Sequence, residues 1–157
     1  MPRVAVPSYV YVLAVVEHEG RFLLIHEAKH GQGWYLPAGG VEPGETLVDA
    51  LQRETLEEGG VRVEPTGILR VEQSWPSSAE GYGRFRFIFA ARVVGSAEPK
   101  READGHSLEA RWVAAEEIPA YALRHPEVIE HVGRVRSGAP TLPLDGYGLA
   151  CFPIVTR

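Results

Sequence analysis

Three glutamates at helical spacing are the residues of this chain best suited to chemistry. Glu54, Glu57 and Glu58 stand at positions i, i+3 and i+4, which fall on one face of an α-helix. Carboxylates so placed repel each other, and near a helix C-terminus they also oppose the macrodipole, each effect costing up to about 1 kcal/mol. Oxygen ligands in this number suit a hard divalent cation, Mg²⁺ or Mn²⁺, better than zinc. A solvated acidic face is the ordinary alternative.

A loop followed by a helix positions these glutamates. Residues Leu36 to Glu45 contain glycine and proline at a density that predicts neither regular helix nor strand. The next segment, Thr46 to Glu58, is predicted to be the helix, with Thr46 as its N-cap and Gly59-Gly60 as its end.

The stretch from Gly39 to Val61 resembles the Nudix box, the signature of the Nudix (MutT-like) hydrolases. The box reads G-x5-E-x7-R-E-U-x-E-E-x-G-U, where U is aliphatic, and every fixed position matches. Thr55, β-branched and of nearly the right volume, stands at the first U and is the single soft match. So many specified positions make chance agreement very improbable, and the resemblance covers almost the whole chain.

The resemblance implies a role for each box residue. The implied metal ligands are the carboxylates of Glu54, Glu57 and Glu58 and the carbonyl of Ala38. An ion pair between Glu45 and Arg53 would tie the loop to the helix. Glycines would let the backbone turn and approach the phosphates, namely Gly39, Gly40 and Gly44. The expected reaction is attack of water on a phosphorus, with Mg²⁺ or Mn²⁺ as cofactor.

One segment after the box departs from the family pattern. Many MutT-like relatives have D-x-E-S-x-x-A-x-W, in which the Glu supplies a further metal ligand or a base, and here His106 takes that place. A neutral imidazole is a poor Mg²⁺ ligand but can act as a general base near neutral pH. Alternatively Asp104 or Glu102 fills the role, or it is unfilled. Glu54 is therefore the first candidate for the base and His106 the second.

Substrate recognition is predicted from side chains outside the box. Arg84 and Arg86 share one face of a predicted strand and either reach a phosphate or are solvated. Glu127 can pair with the N–H groups of a guanine edge, or it is simply a favourable charge in the first turn of a helix. His26 and His30 are interpreted as plain surface or strand residues, because no Cys or Asp accompanies them at ligand spacing.

The expected substrate is a small nucleotide. The segments WYLPAG and DGHSLEARW resemble the branch that clears oxidised purine nucleotides, such as 8-oxo-dGTP or 8-oxo-dGDP. Within enzymes, the alternatives are ADP-ribose, dinucleoside polyphosphates or another nucleotide conjugate. From a different class, a module that senses a nucleotide without cleaving it stays open, although such modules are expected to have lost box carboxylates.

Length and composition predict one globular domain over residues 1–157. Hydrophobic residues make up 45% of the chain and charged residues 24%, which is typical of soluble globular proteins. A net charge of −5 gives no general attraction for nucleic acid or anionic membrane. The single cysteine, Cys151, allows no internal disulfide, and the apolar run Tyr9 to Val16 is too short to span a bilayer. The predicted location is cytoplasmic, and the sequence does not indicate an oligomeric state.

The pattern of elements predicts an α+β fold with a mixed sheet, which the resemblance sharpens to an α/β/α sandwich. The predicted strands are Tyr9–Val16, Arg21–His26, Trp34–Leu36, Val61–Val71, Arg84–Val94, Glu109–Val113 and Leu149–Val155. A late amphipathic helix, Pro126–Arg136, is predicted to bury Val128, Ile129, Val132 and Val135. The loops Glu72–Gly83 and Gly95–Gly105 are expected to close over a ligand.

Overall fold

The computed structural model describes residues 7–75 and 81–146. Within these ranges the strands are β1 Ser8–His18, β2 Arg21–Glu27, β3 Trp34–Tyr35, β4 Ala38–Gly40, β5 Val63–Ser74, β6 Gly83–Val93 and β7 Ser107–Ala114. The α-helices are α1 Leu47–Gly59 and α2 Glu127–Arg136, and short 3₁₀ turns occupy Ile118–Ala120 and Leu144–Gly146.

β1 lies at the centre of one mixed sheet. The strand order is β3-β2-β1-β6-β5, with β7 added to β2 and β4 added to β1. The β1–β6 pair is parallel and the remaining pairs are antiparallel. Along one edge, β1 pairs first with β4 and then, near the hairpin turn, with β2. The box loop is therefore attached directly to the centre of the sheet.

Side chains alternate between the two faces of β1, so this strand contributes to two separate hydrophobic cores, one on each face of the sheet. Val12, Ala14 and Val16 pack on the face covered by α1, where Leu47 and Leu51 of that helix are buried. Leu13 and Val15 pack on the other face, with Val128 and Val132 of α2. The predicted α/β/α sandwich with a mixed sheet is confirmed.

Local signals account for both ends of α1. The Thr46 side chain accepts a hydrogen bond from the backbone N–H of Asp49, and the Asp49 carboxylate accepts one back from Thr46 N–H. Gly60 ends the helix in the left-handed conformation at φ 74°. Thr55 is fully buried, and its hydroxyl donates to the Leu51 carbonyl at 2.7 Å. That hydrogen bond explains how a threonine is accommodated at an aliphatic box position.

Two predicted loops are partly strand. Leu36–Glu45 contains β4, because the edge of β1 pairs with the backbone of Ala38–Gly40 despite the low strand preference of glycine. Glu72 to Ser74 continue β5, because they stay paired with β6. The predicted loop Gly95–Gly105 does lack regular structure. The predicted strand Leu149–Val155 and Cys151 lie outside the described residues.

The predicted burial of one residue on the apolar face of α2, Ile129, is wrong. Ile129 is 44% exposed, whereas His131 is 1% exposed. The buried face runs through Val128, His131 and Val132, at i, i+3 and i+4, and position 129 is turned about 100° away from it.

Neither α-helix in the described parts of the chain is long and apolar enough to cross a membrane. The predicted cytoplasmic location and the single domain over residues 1–157 stay predictions.

Candidate active site

Arg53 joins the box loop to the box helix. Its Nε donates to Glu45 Oε1 at 2.6 Å and its Nη2 to Glu45 Oε2 at 2.9 Å, so the predicted ion pair is confirmed. Nη2 also donates to the Gly40 carbonyl at 2.9 Å. The hydrogen bonds from Arg53 lower the pKa of Glu45 to about 2. The loop is thereby fixed against the helix.

Gly39 is needed because the Glu54 carboxyl group occupies the place of a side chain. A Cβ added at Gly39 would lie 1.9 Å from Glu54 Cδ and Oε1. Burial raises the pKa of Glu54, while the hydrogen bond from Arg53 Nη1 at 2.7 Å opposes that rise. Gly44 serves a different need, since its φ of 88° is readily adopted by glycine. The β4 backbone therefore lies directly against the first box carboxylate.

Glu58 is bound by the backbone of the box loop. Its Oε2 accepts a hydrogen bond from the Ala38 N–H at 2.9 Å, and burial raises its pKa to about 8. At the end of α1, Lys100 Nζ donates to the Glu57 carbonyl at 2.8 Å and Ser107 Oγ to the Glu58 carbonyl at 2.7 Å. These donors satisfy helix-end carbonyls and offset the acidic C-terminus.

The box carboxylates do not converge on one point in this arrangement. Arg53 Nη1 draws Glu54 and Glu57 to itself, and the Ala38 N–H holds Glu58. Within residues 7–75 and 81–146, no three His, Cys, Asp or Glu side chains are grouped closely enough to hold a metal ion. The ligand set Ala38, Glu54, Glu57 and Glu58 is not a preformed cluster and stays a prediction.

His106 lies beside the box. Its Nδ1 is 3.6 Å from Glu57 Oε2, and 52% of its side chain is exposed. Asp104, the alternative to it, pairs with Lys100 and accepts backbone hydrogen bonds from His106 and Ser107, which hold the pKa of Asp104 well below its usual range. Glu102 is exposed. Of these three residues, His106 is therefore the one brought to a box carboxylate, and its role as a base stays a prediction.

A cavity of about 320 Å³ adjoins the box loop. It contains four of the predicted substrate-binding residues, Gly39, Gly40, Arg84 and Arg86. It is also lined by residues that sequence reasoning did not single out, Tyr11, Leu13, Tyr35 and Arg124. Arg84 lies over the Tyr11 ring, with 5.6 Å from Cζ to the ring centroid. The volume lies in the range of small-molecule pockets.

The remaining predicted substrate residue, Glu127, is engaged inside the protein. Its carboxylate accepts hydrogen bonds from the Tyr35 hydroxyl and from Arg86 Nη1 at 2.9 Å and Nη2 at 2.7 Å. The hydrogen bonds from Arg86 lower the pKa of Glu127 to about 2, and burial raises the pKa of Tyr35. Glu127 is also the first residue of α2, as its alternative interpretation predicts. Its pairing with a guanine edge stays a prediction.

A second cavity, of about 180 Å³, lies on the side of Glu58 and His106. Its other lining residues are Glu27, Lys29, His30, Ala38, Gly105 and Arg124. Three residues, His30, Ala38 and Arg124, line both cavities. His30, interpreted from sequence as a plain surface residue, is exposed but lies at this border. His26 is stacked on Trp34 at 4.7 Å and lines neither cavity.

Sequence reasoning missed Glu27 and Arg124 altogether. Glu27 is 8% exposed, ends β2 next to an irregularity in the β2–β7 pairing, and accepts a hydrogen bond from Arg124 at 2.7 Å. The one signal was a charged residue directly after an apolar strand. Arg124 lies in an irregular segment that carries no motif.

Comparison with protein families decides the identity of the fold. The model of the NUDIX domain matches residues 7–132, most of the chain. The chain belongs to the Nudix family. Enzymes of this family generally need a divalent metal ion.

The sequence is similar to two named phosphatases of the Nudix family. It is 42% identical over 120 residues to 8-oxo-dGDP phosphatase NUDT18 of Homo sapiens, covering 74% of this chain but 35% of the human protein. It is 36% identical over 132 residues to phosphatase NudJ of Escherichia coli strain K12, covering 83% of this chain and 84% of NudJ. The chain thus spans about a third of the human relative it matches and most of the bacterial one.

Solved Nudix structures share the fold. A NUDIX hydrolase from Nitrosomonas europaea superposes with a TM-score of 0.75 at 32% identity, covering 91% of this chain and 97% of that one. The MutT protein of Methanosarcina mazei Go1 superposes with a TM-score of 0.63 at 25% identity, covering 88% of this chain and all of that one (100%).

The donors present in this chain fit a hard divalent cation. The box region offers three carboxylates and a backbone carbonyl, the oxygen ligands that such ions prefer. Burial raises the pKa of two of these carboxylates, Glu54 and Glu58, which shows that their negative charge is not fully compensated by protein groups. A cation would supply that compensation.

Proposed function

We propose that the protein is a metal-dependent pyrophosphohydrolase that cleaves a nucleoside diphosphate or triphosphate, with 8-oxo-dGDP as the leading substrate. The observation that carries this proposal is the position of β4. Its residues lie against Glu54 and Glu58 and also line the 320 Å³ cavity. A nucleotide in that cavity would present its phosphates to the box carboxylates. The human relative, 42% identical, is named for its activity on 8-oxo-dGDP, which supports this choice of substrate.

Each residue of the site has a separate proposed role in hydrolysis. A metal ion held by Glu54, Glu57, Glu58 and the Ala38 carbonyl would polarise phosphate oxygens and activate water. Glu54, whose side chain is 14% exposed and lies against Gly39, is the first candidate to take the proton from the attacking water, and His106 the second. Arg53, fixed by Glu45, holds the loop and the helix in register. The remaining contribution is positioning, which accounts for much of phosphoryl-transfer catalysis.

A nucleotide panel tests this proposal. Turnover with Mg²⁺ or Mn²⁺ is measured by chromatography of the nucleotide products for 8-oxo-dGDP, 8-oxo-dGTP, the ordinary dNTPs, ADP-ribose and diadenosine polyphosphates, because the last two are cleaved without release of free phosphate or pyrophosphate. Wild type is compared with Glu57→Gln and with a matched control, Glu64→Gln, which removes an exposed carboxylate paired with Arg92. We expect metal-dependent turnover of 8-oxo-dGDP, reduced about hundredfold or more in Glu57→Gln and unchanged in the control.

Other outcomes have distinct meanings. Preferred turnover of ADP-ribose or a dinucleoside polyphosphate would keep the hydrolase and replace the substrate. Full turnover by Glu57→Gln would refute the role given to that carboxylate. Binding of nucleotide without any turnover would refute the enzyme and favour a nucleotide-sensing module.

A further inference from the structure

Arg124 is held firmly against the strand that leads into the box loop. Its backbone N–H donates to the Trp34 carbonyl at 2.9 Å, and Trp34 N–H donates to the Ala122 carbonyl at 2.9 Å. The contact is close, since a Cβ at Gly33 would lie 2.8 Å from Arg124 Cα. The segment 122–124 therefore runs beside β3, and this pairing fixes the position of the Arg124 backbone, from which the side chain extends.

The Arg124 guanidinium is oriented from two further directions. Nη1 donates to Glu27 Oε1 at 2.7 Å, and Cζ lies 4.9 Å from the centroid of the Tyr35 ring. Glu27 Oε2 is buried and, within the described residues, has no hydrogen-bond partner, so the pair is joined through one carboxylate oxygen only. An arginine has five N–H donors, and a one-point contact leaves most of them for another acceptor. The side chain is 39% exposed, so an acceptor can reach it.

Arg124 lies at the border between the two cavities beside the box. It lines the 320 Å³ cavity together with Gly39 and Gly40, and it lines the 180 Å³ cavity together with Glu58 and His106. A nucleotide with its nucleoside in the first cavity and its scissile bond at the box carboxylates must pass its phosphates across this border.

The other two arginines of the 320 Å³ cavity, called the nucleotide cavity below, are less suited to a phosphate at the box. Arg86 uses Nε, Nη1 and Nη2 on Glu72 and Glu127, so its donors are already taken. Arg84 lines the larger cavity but not the one that contains Glu58. An arginine fork matches phosphate oxygens, and its charge is permanent.

On this geometry we propose that Arg124 binds the second phosphate of a nucleoside diphosphate, with Glu27 and Tyr35 as its positioning residues. Arg124 thereby distinguishes the diphosphate substrate from the monophosphate product, which carries no phosphate beyond the first. This inference rests on the proposed function, because it takes the ligand to be a nucleotide.

Binding without metal tests the inference separately from turnover. The dissociation constants of 8-oxo-dGMP and 8-oxo-dGDP are measured by calorimetry in EDTA. The test variant is the double substitution Glu27→Gln with Arg124→Gln, which removes both charges and so leaves no buried carboxylate unpaired. The matched control is Glu109→Gln with Arg111→Gln. Arg111 also pairs with a glutamate and lies over an aromatic ring, Trp34 at 5.3 Å, but it lines neither cavity.

We expect wild type and control to bind the diphosphate more tightly than the monophosphate. The dissociation constant of 8-oxo-dGMP divided by that of 8-oxo-dGDP should fall about tenfold in the test variant. This is the loss expected for one charge-assisted phosphate contact. An unchanged ratio in the test variant would overturn the inference. Absence of turnover by wild type across the nucleotide panel would instead overturn the proposed function, so the two failures are distinguishable.

A second measurement does not depend on the double variant folding. The Nε–Hε resonance of Arg124 is identified in the NMR spectrum of wild type by its absence from Arg124→Lys. Titration with 8-oxo-dGDP should shift this resonance, whereas 8-oxo-dGMP should leave it near its free position. A resonance that responds equally to both nucleotides, or to neither, would refute the assignment.

Discussion

At Gly39 the candidate site leaves no room for a side chain. The Glu54 carboxyl group fills the space that a Cβ would need, and the glycine itself is paired with Val12 in the sheet. The sequence pattern requires glycine at this position, and the structure provides a steric reason for it. The contact couples the geometry of the loop to the geometry of the first box carboxylate.

Gly39→Ala should therefore impair catalysis rather than folding. The added methyl group must displace Glu54, because the sheet backbone on its other side is fixed, and a small displacement of a catalytic group can cost about hundredfold in rate. Turnover of the best panel nucleotide and urea unfolding are measured together. Gly133→Ala is the control, since a Cβ there has nothing within 4 Å and the residue is exposed on α2. Equal activity of Gly39→Ala and wild type would contradict the steric account.

At the scale of elements, α1 shows how an acidic helix end is made tolerable. The helix ends with no basic residue in its last turn, and three glutamates lie near that end. Compensation comes from outside the helix, where Lys100 Nζ donates to the Glu57 carbonyl at 2.8 Å and also pairs with Asp104. Lys100 N–H donates to the Gly59 carbonyl at 2.9 Å. The charged loop before β7 thus serves as the C-terminal cap of the box helix.

Lys100→Met should destabilise the protein by about 1–2 kcal/mol, because it removes a charge-assisted hydrogen bond and a favourable charge at a helix C-terminus. The free energy of unfolding is measured by urea titration. Arg101→Met is the matched control, since the neighbouring Arg101 pairs with Glu98 at the surface and its side chain is 77% exposed. If both variants lost the same free energy of unfolding, the effect would be due to net charge and not to the helix cap.

The elements that sequence predicted well are those defined by short-range signals. Thr46 and Gly60 mark the ends of α1 in the sequence as in the structure, because capping acts within a few residues. β4 was missed because its strand character comes from pairing with β1, which lies distant in sequence. The three glutamates followed from helical spacing. The Glu27–Arg124 pair did not, because its members are 97 residues apart and neither belongs to a motif.

At the scale of the whole molecule, the sheet separates the box from the second helix. α1 covers one face and carries the box glutamates, whereas α2 covers the other face and packs on Leu13 and Val15 of β1. A contact made by α2 nevertheless reaches the candidate site. Glu127 of α2 holds Arg86, and Arg86 lines the nucleotide cavity. The packing of α2 therefore contributes to the shape of the candidate site.

His131 makes that packing dependent on pH. It is 1% exposed on the inner face of α2, and neither ring nitrogen has a hydrogen-bond partner among the described residues. Burial lowers the pKa of His131, an effect that Arg86 reinforces and that nearby carboxylates oppose, those of Glu127, Glu72 and Glu130. The folded state thus keeps the imidazole neutral at pH values where the unfolded chain binds a proton. The stability it contributes is present above the ordinary histidine pKa and is lost as the pH falls below it.

His131→Leu should remove this part of the pH dependence. Below about pH 6.5, each unit of pH costs wild type up to about 1.4 kcal/mol from this residue until the folded-state pKa is reached, and the variant has no such cost. Urea unfolding of both proteins at about pH 7.5 and about pH 5.5 measures the difference. Leucine also fills the buried space without leaving unpaired polar atoms, so the variant should be at least as stable as wild type at the higher pH. The stability advantage of the variant should then widen at the lower pH. An advantage that stays constant between the two pH values would contradict this account. It would show that the folded protein binds a proton at His131 as readily as the unfolded chain does over this range.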